Sequence, residues 1–194
     1  VHGLHGRIAN LPAHDVSVTL DEDAGTVTLT GTVDETRFLC HALRMETKIV
    51  LEAARHRITW TDTVTNLSDR PATMQMLYHV NIGPPMLGAG AQLVAAIEEL
   101  APRDPHASAD VASWDRYAGP QPGHAEQVHF ARLRPDADGK ATALLVSPGG
   151  QYGAAVSWRA ETLPWFTLWK NLGGERDGYV TGIEPGTNRF DACH

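Results

Sequence analysis

Lysine is scarce in this chain. Only Lys48, Lys140 and Lys170 stand among its 16 basic residues, against 23 acidic ones. The formal net charge is −7, the isoelectric point lies near 5.8, and Lys and Arg nowhere form a run. Phosphate backbones call for a basic face, so nucleic acid is not an expected partner. Cysteine is scarcer still, with Cys40 and Cys193 alone. Two distant thiols make neither a disulfide framework nor a metal motif, and they suit a reduced, cytoplasmic setting. No stretch approaches the roughly 18 consecutive apolar residues of a membrane span. Also missing are G-x-G-x-x-G, the P-loop, G-x-S-x-G and the paired-cysteine zinc patterns. No cofactor and no resident metal are therefore expected. The triplet Asn66-Leu67-Ser68 fits a glycosylation acceptor, but no secretory segment accompanies it.

What is present is ordinary globular material: 194 residues, 42% hydrophobic and 20% charged. That length suffices for one domain with a core, taken here as residues 1–194. The chain opens at Val1 directly into a motif and closes at His194 just after another. The expectation is that both ends are cut from a longer protein.

Alternation of apolar and polar residues is the dominant pattern. It predicts strands over Val16–Leu20 and Thr26–Val33, joined by the polar turn Asp21–Gly25, a hairpin signal. Thr36–Ala53 is mixed, with period two in its second half. Arg55–Asn66, rich in β-formers, and Ala72–Asn81 read as further strands. Gly83–Gly90 is a loop, and Gln92–Leu100 reads as a strand or a short helix. Ala101–Gln127 has no sustained periodicity and reads as a long loop with one turn of helix near Trp114; loops of this length are usually functional. Val128–Leu133, Ala141–Ser147, Gly153–Arg159, Thr162–Trp169 and Tyr179–Glu184 complete the strands. About ten short-linked strands with little helix predict an all-β sandwich of antiparallel sheets.

Several residues could carry chemistry. His79 ends a predicted strand, and Asn81, two residues on, shares its face. A Gly-Pro-Pro corner follows. A lone strand histidine is more often structural than functional, and it is the company of Asn81 and this corner that favours function here. Glu184 sits at a strand-to-loop corner backed by Pro185 and Gly186, which suits either a pocket carboxylate or a surface turn. Trp165 and Trp169 share a face with Thr167 between them. Tryptophan stacks on the C–H faces of sugars, so Trp169 with Lys170 could line a carbohydrate site, or the strand could simply be core. The N-terminal HGLHGRIAN offers His5, Arg7 and Asn10 as hydrogen-bond donors to hydroxyls, or an exposed turn.

Together HGLHGRI, YHVNIGPPML and the W-K…YVTGIEPGTN segment resemble the aldose 1-epimerase (galactose mutarotase) superfamily, over essentially the whole chain and in the family's order. The resemblance implies a β-supersandwich. It implies that His79 acts as general acid and Glu184 as general base, with His5-Gly6 and Arg7 in the substrate loop and His2-Gly3 as an alternative register. Asn10, Asn81, Trp169 and Lys170 would complete the substrate-binding set. The implied reaction opens a sugar ring and recloses it on either face. This chain has Tyr78-His79 where the family has Asn-His, and Pro-Gly-Thr-Asn after Glu184. Family members are longer at both ends, so edge strands are expected to be missing. The expected partner is a small sugar, with no membrane.

Three alternatives remain open at this point. A sugar lyase or isomerase on the same scaffold would use His79 and Glu184 on a carbon-bound proton, with a metal held by His5, His79 and Glu184. A non-catalytic carbohydrate-binding module would keep Trp169, Arg7 and Lys170. A piece that does not fold alone is the last.

Overall fold

The computed structural model describes residues 5–189. Twelve strands are formed there, and the short 3-10 turns and one five-residue helix are the only other regular elements among the described residues. No helix among them is long and apolar enough to cross a membrane. The chain divides into two compact units, meeting in sequence between Met74 and Gln75.

The first unit is a four-stranded antiparallel meander of β1 (His14–Asp21), β2 (Thr26–Arg37), β3 (His41–Glu52) and β4 (Arg57–Asn66), in that order. The predicted β1–β2 hairpin is present, with Ala24 N donating to Asp21 Oδ1 at 2.9 Å and Gly25 supplying a positive φ of 61°. β2 and β3 are each 12 residues long, well beyond the predicted stretches. Asn66 closes the sheet: its side-chain oxygen accepts from Ser68 N and Oγ while Nδ2 donates to Arg70 O. The Asn-Leu-Ser triplet thus builds a turn. Cys40 is a free, exposed thiol, and Cys193 lies outside the described residues.

The second unit is a sandwich. One sheet contains β6 (Gln92–Ala95), β9 (Lys140–Val146) and β10 (Gly153–Arg159), ordered β10-β9-β6. The other contains β5 (Val80–Ile82), β7 (Ile97–Pro102), β8 (Gln127–Leu133), β11 (Trp165–Asn171) and β12 (Val180–Gly186), ordered β5-β12-β11-β8-β7. Every pairing is antiparallel. Leu93, Ala143, Leu145 and Trp158 from the first sheet and Ala131, Phe166, Leu168 and Ile183 from the second bury one another. Side chains alternate across a strand, so the larger sheet turns Ala131, Phe166, Leu168 and Ile183 to the core and leaves a second face for chemistry. The fold class is the expected all-β sandwich.

Two expectations change. Ala72–Asn81 is not one strand: it contributes β5 and a single bridge from Leu77 to Gly186. Pro185 is the cause. Tyr78 N donates to Pro185 O at 2.9 Å, but proline has no N–H to return the bond, and the ladder breaks there. The aperiodic 101–127 stretch has the expected helical turn beside Trp114 and, beyond it, more regular structure than a long loop. It holds the end of β7, then α1 (Pro105–Ala109), capped by Asp104 accepting from Ala107 N at 2.9 Å, and a 3-10 turn at Val111–Ser113.

Candidate active site

Strand register brings the two sequence candidates together. Val80 pairs with Ile183 and Leu77 with Gly186, so His79 stands directly across from Glu184. Cross-strand partners share a face. His79 Nε2 lies 3.0 Å from Glu184 Oε1, with side-chain exposures of 30% and 5%. The approach is at ion-pair distance yet poorly aligned, since the buried Oε1 makes no well-directed hydrogen bond.

The neighbouring strands set the surroundings. Glu184 pairs with Thr167 on β11, and Gly182 pairs with both Trp169 and Asn81. Asn81, Thr167 and Trp169 therefore lie on the face of His79 and Glu184. Trp169 and His79 meet in a T-shaped ring contact, with centroids 5.5 Å apart and planes at 68°. Gly182 leaves room for the carboxyl: a Cβ there would collide with Glu184 Oε1 and displace that side chain. Its position two residues before Glu184 was the available sequence signal, since i and i+2 share a face.

Electrostatics at the pair are unusual. Burial pushes the Glu184 carboxyl up from 4.5 to about 8, and the like charge of Glu126 adds to the shift. A carboxyl raised by burial, beside an imidazole, sets a proton donor and a proton acceptor side by side. Such a pair can give a proton at one atom while taking one at another.

Lys170 is not part of this face. One residue past Trp169, it points to the other side of β11 and is buried. Its Nζ donates to Trp114 O at 3.1 Å and Arg116 O at 2.7 Å and lies over the Tyr117 ring. The substrate-binding expectation for Lys170 is corrected accordingly: the same alternation that put Trp165 and Trp169 together excludes it. His5, Arg7 and Asn10 belong to the first unit, where Arg7 leads into a 3-10 turn at Ile8–Asn10. His2-Gly3 lies outside the described residues. Among the described residues no group of three or more His, Cys, Asp or Glu is placed to hold a metal ion. Sequence reasoning missed Glu126, which accepts the Trp169 indole N–H at 2.7 Å, and Arg103, which lies 3.0 Å from it. Both sit in or beside the aperiodic stretch, where no period marks a face.

A family described as "Domain of unknown function (DUF4432)" matches residues 1–192. The chain belongs to the DUF4432 family. No curated protein matches it. Among solved structures, the DUF4432 chain is similar to a crystal structure of a "putative aldose 1-epimerase" from Klebsiella pneumoniae subsp. pneumoniae MGH 78578. The two are 33% identical over 96% of this chain and 49% of the other, with a TM-score of 0.92. The DUF4432 chain thus spans about half the length of that protein and has an aldose 1-epimerase-like β-sandwich fold.

Proposed function

We propose that the chain acts as an isomerase of the aldose 1-epimerase type, interconverting the anomers of a sugar with Glu184 as base and His79 as acid. The observation that carries this is the cross-strand pair itself, 3.0 Å apart, with Trp169 at its edge. The similarity of the fold to the Klebsiella protein supports the same reading.

The chemistry follows from a proton donor and a proton acceptor side by side. Glu184, ionised, takes the proton of the anomeric hydroxyl. His79, protonated, gives its proton to the ring oxygen as the bond from the first carbon to that oxygen breaks. The open aldehyde turns about its first carbon–carbon bond. Reclosure reverses both transfers, and the pair ends as it began. Trp169 offers an apolar surface to sugar C–H groups, and Asn81 offers an amide to hydroxyls on the same face.

The test is anomer exchange on a panel of aldoses, read by NMR saturation transfer. Wild type is expected to accelerate exchange. Glu184→Gln and His79→Asn are each expected to lower the rate by about 100- to 10,000-fold. Wild type that is folded but accelerates no sugar overturns the proposal. Retained sugar affinity in that inactive protein would favour a binding module instead.

A further inference from the structure

The stretch between β7 and β8 ends at Glu126, immediately before β8 begins at Gln127. Both oxygens of its carboxylate are engaged. Oε1 lies 3.0 Å from Arg103 Nη1, and Oε2 accepts the Trp169 indole N–H at 2.7 Å. Arg103 is itself held, with Nε 3.1 Å from Asp104 Oδ2, and Asp104 caps α1. The hydrogen-bond donors and acceptors therefore form one line: Asp104, Arg103, Glu126, Trp169. The line continues by ring contact to His79 and from there to Glu184.

This arrangement does little for stability. The side chains of Arg103 and Glu126 are 31% and 46% exposed, and exposed ion pairs of this kind contribute little to folding. Its effect is on geometry. A tryptophan side chain has two torsions, so fixing the indole N–H fixes the orientation of the whole ring. Here that ring meets the imidazole at 68°. His79 lies just before β5, between the Leu77–Gly186 bridge and Val80, where the ladder is interrupted opposite Pro185. The ring contact adds a restraint on the imidazole there.

We infer that Glu126, clamped by Arg103, is a positioning residue: it holds the Trp169 indole in its T-shaped contact with His79 and so sets the angle of the imidazole to Glu184. The inference deepens the proposed acid–base reading and rests on it for its effect on rate. The clamp itself has an independent readout.

The test compares Glu126→Gln, which keeps an oxygen able to accept the indole N–H, with Glu126→Ala, which does not. Two quantities are measured: the Trp169 indole N–H resonance with the His79 imidazole resonances, and kcat and KM for anomer exchange. In Glu126→Ala the indole proton is expected to move toward the free-solvent position and the His79 signals to shift. There kcat is expected to fall about 10- to 100-fold, a loss typical of misplaced catalytic groups, with a smaller change in KM. Glu126→Gln is expected to restore the indole resonance and most of the rate lost in Glu126→Ala. Unchanged indole and imidazole resonances in Glu126→Ala overturn the inference. So does an equal fall in kcat for both variants with the indole proton in place, which would assign the effect to charge alone. Wild type inactive on every aldose sinks the mutarotase reading, and the clamp is then judged on the resonances.

Discussion

Glu184 concentrates the consequences of this site in one side chain. Its carboxyl is 4% exposed, and burial has raised it to about 8 from an ordinary 4.5. The folded protein therefore prefers the protonated form. The sign follows directly. A group whose folded value is raised adds stability that is complete below its unfolded value, and that stability is lost as pH rises through the folded value. The window here runs from about 4.5 to about 8. Each unit of separation is worth about 1.4 kcal/mol, so the contribution is several kcal/mol before relaxation and partner effects reduce it. His79 opposes the trend whenever it is charged, since a cation 3.0 Å away favours the carboxylate. Melting temperature measured between pH 5 and 9 is expected to fall toward the alkaline end. Glu184→Gln, which cannot ionise, is expected to flatten that fall. Parallel curves for the two proteins would place the titration elsewhere.

At the scale of elements, β11 shows how much was readable and where reading stopped. Its alternation is visible in the sequence, and register confirms that Trp165, Thr167 and Trp169 share a face. The grouping of Lys170 with Trp169 failed on that same alternation, because adjacent strand residues point apart. The hairpin of β1 and β2 was legible because its turn is polar and its flanks alternate. The break before β5 was not, because its cause is a proline more than a hundred residues away in sequence, on the partner strand. His79 and Glu184 were recognisable as corner residues, while their pairing depended on register, which no local pattern contains. Glu126 and Arg103 could not be found, since a loop has no period to assign their direction.

Lys170 has its own role in this element. It ties the segment around Trp114 and Arg116 to the back of β11, assisted by Tyr117 Oη and Thr181 Oγ1 at 2.9 Å. Burial lowers its ammonium to about 8, so the charge is held at a cost. Lys170→Met removes both that cost and two part-buried hydrogen bonds, each worth on the order of 1 kcal/mol. The two effects oppose one another in global stability but not locally. Hydrogen exchange is expected to speed up over residues 110–118 while the melting point moves by only a few degrees. The Trp169 indole resonance, on the other face, is expected to stay in place. Unchanged exchange over that segment would show that Lys170 does not anchor it.

At the scale of the whole molecule, the two units differ in how they treat apolar surface. The second buries its apolar residues between two sheets. The first is a single sheet, and register sorts its side chains into two unlike faces. One face carries Thr19, Thr28, Val50 and Thr59 in a cross-strand row, with Ser17, Thr30, Lys48 and Thr61 beside it. The other carries Val18, Leu29, Ile49 and Trp60, then Leu20, Val27, Leu51 and Ile58. On that apolar face Val18, Leu20, Ile58 and Trp60 are each more than half exposed, at 64%, 61%, 66% and 55%. Contiguous apolar surface in water favours association at about 25 cal/mol per Å² covered. The apparent mass from light scattering is therefore expected to rise with concentration. Leu20→Thr with Ile58→Thr, one change on each outer strand, is expected to suppress the rise. These side chains are already in contact with water, and threonine suits a strand, so the melting temperature is expected to hold within a few degrees. Scattering that ignores the substitutions would detach association from this face. A large drop in melting temperature would show instead that the two rows stabilise the sheet by packing along its surface.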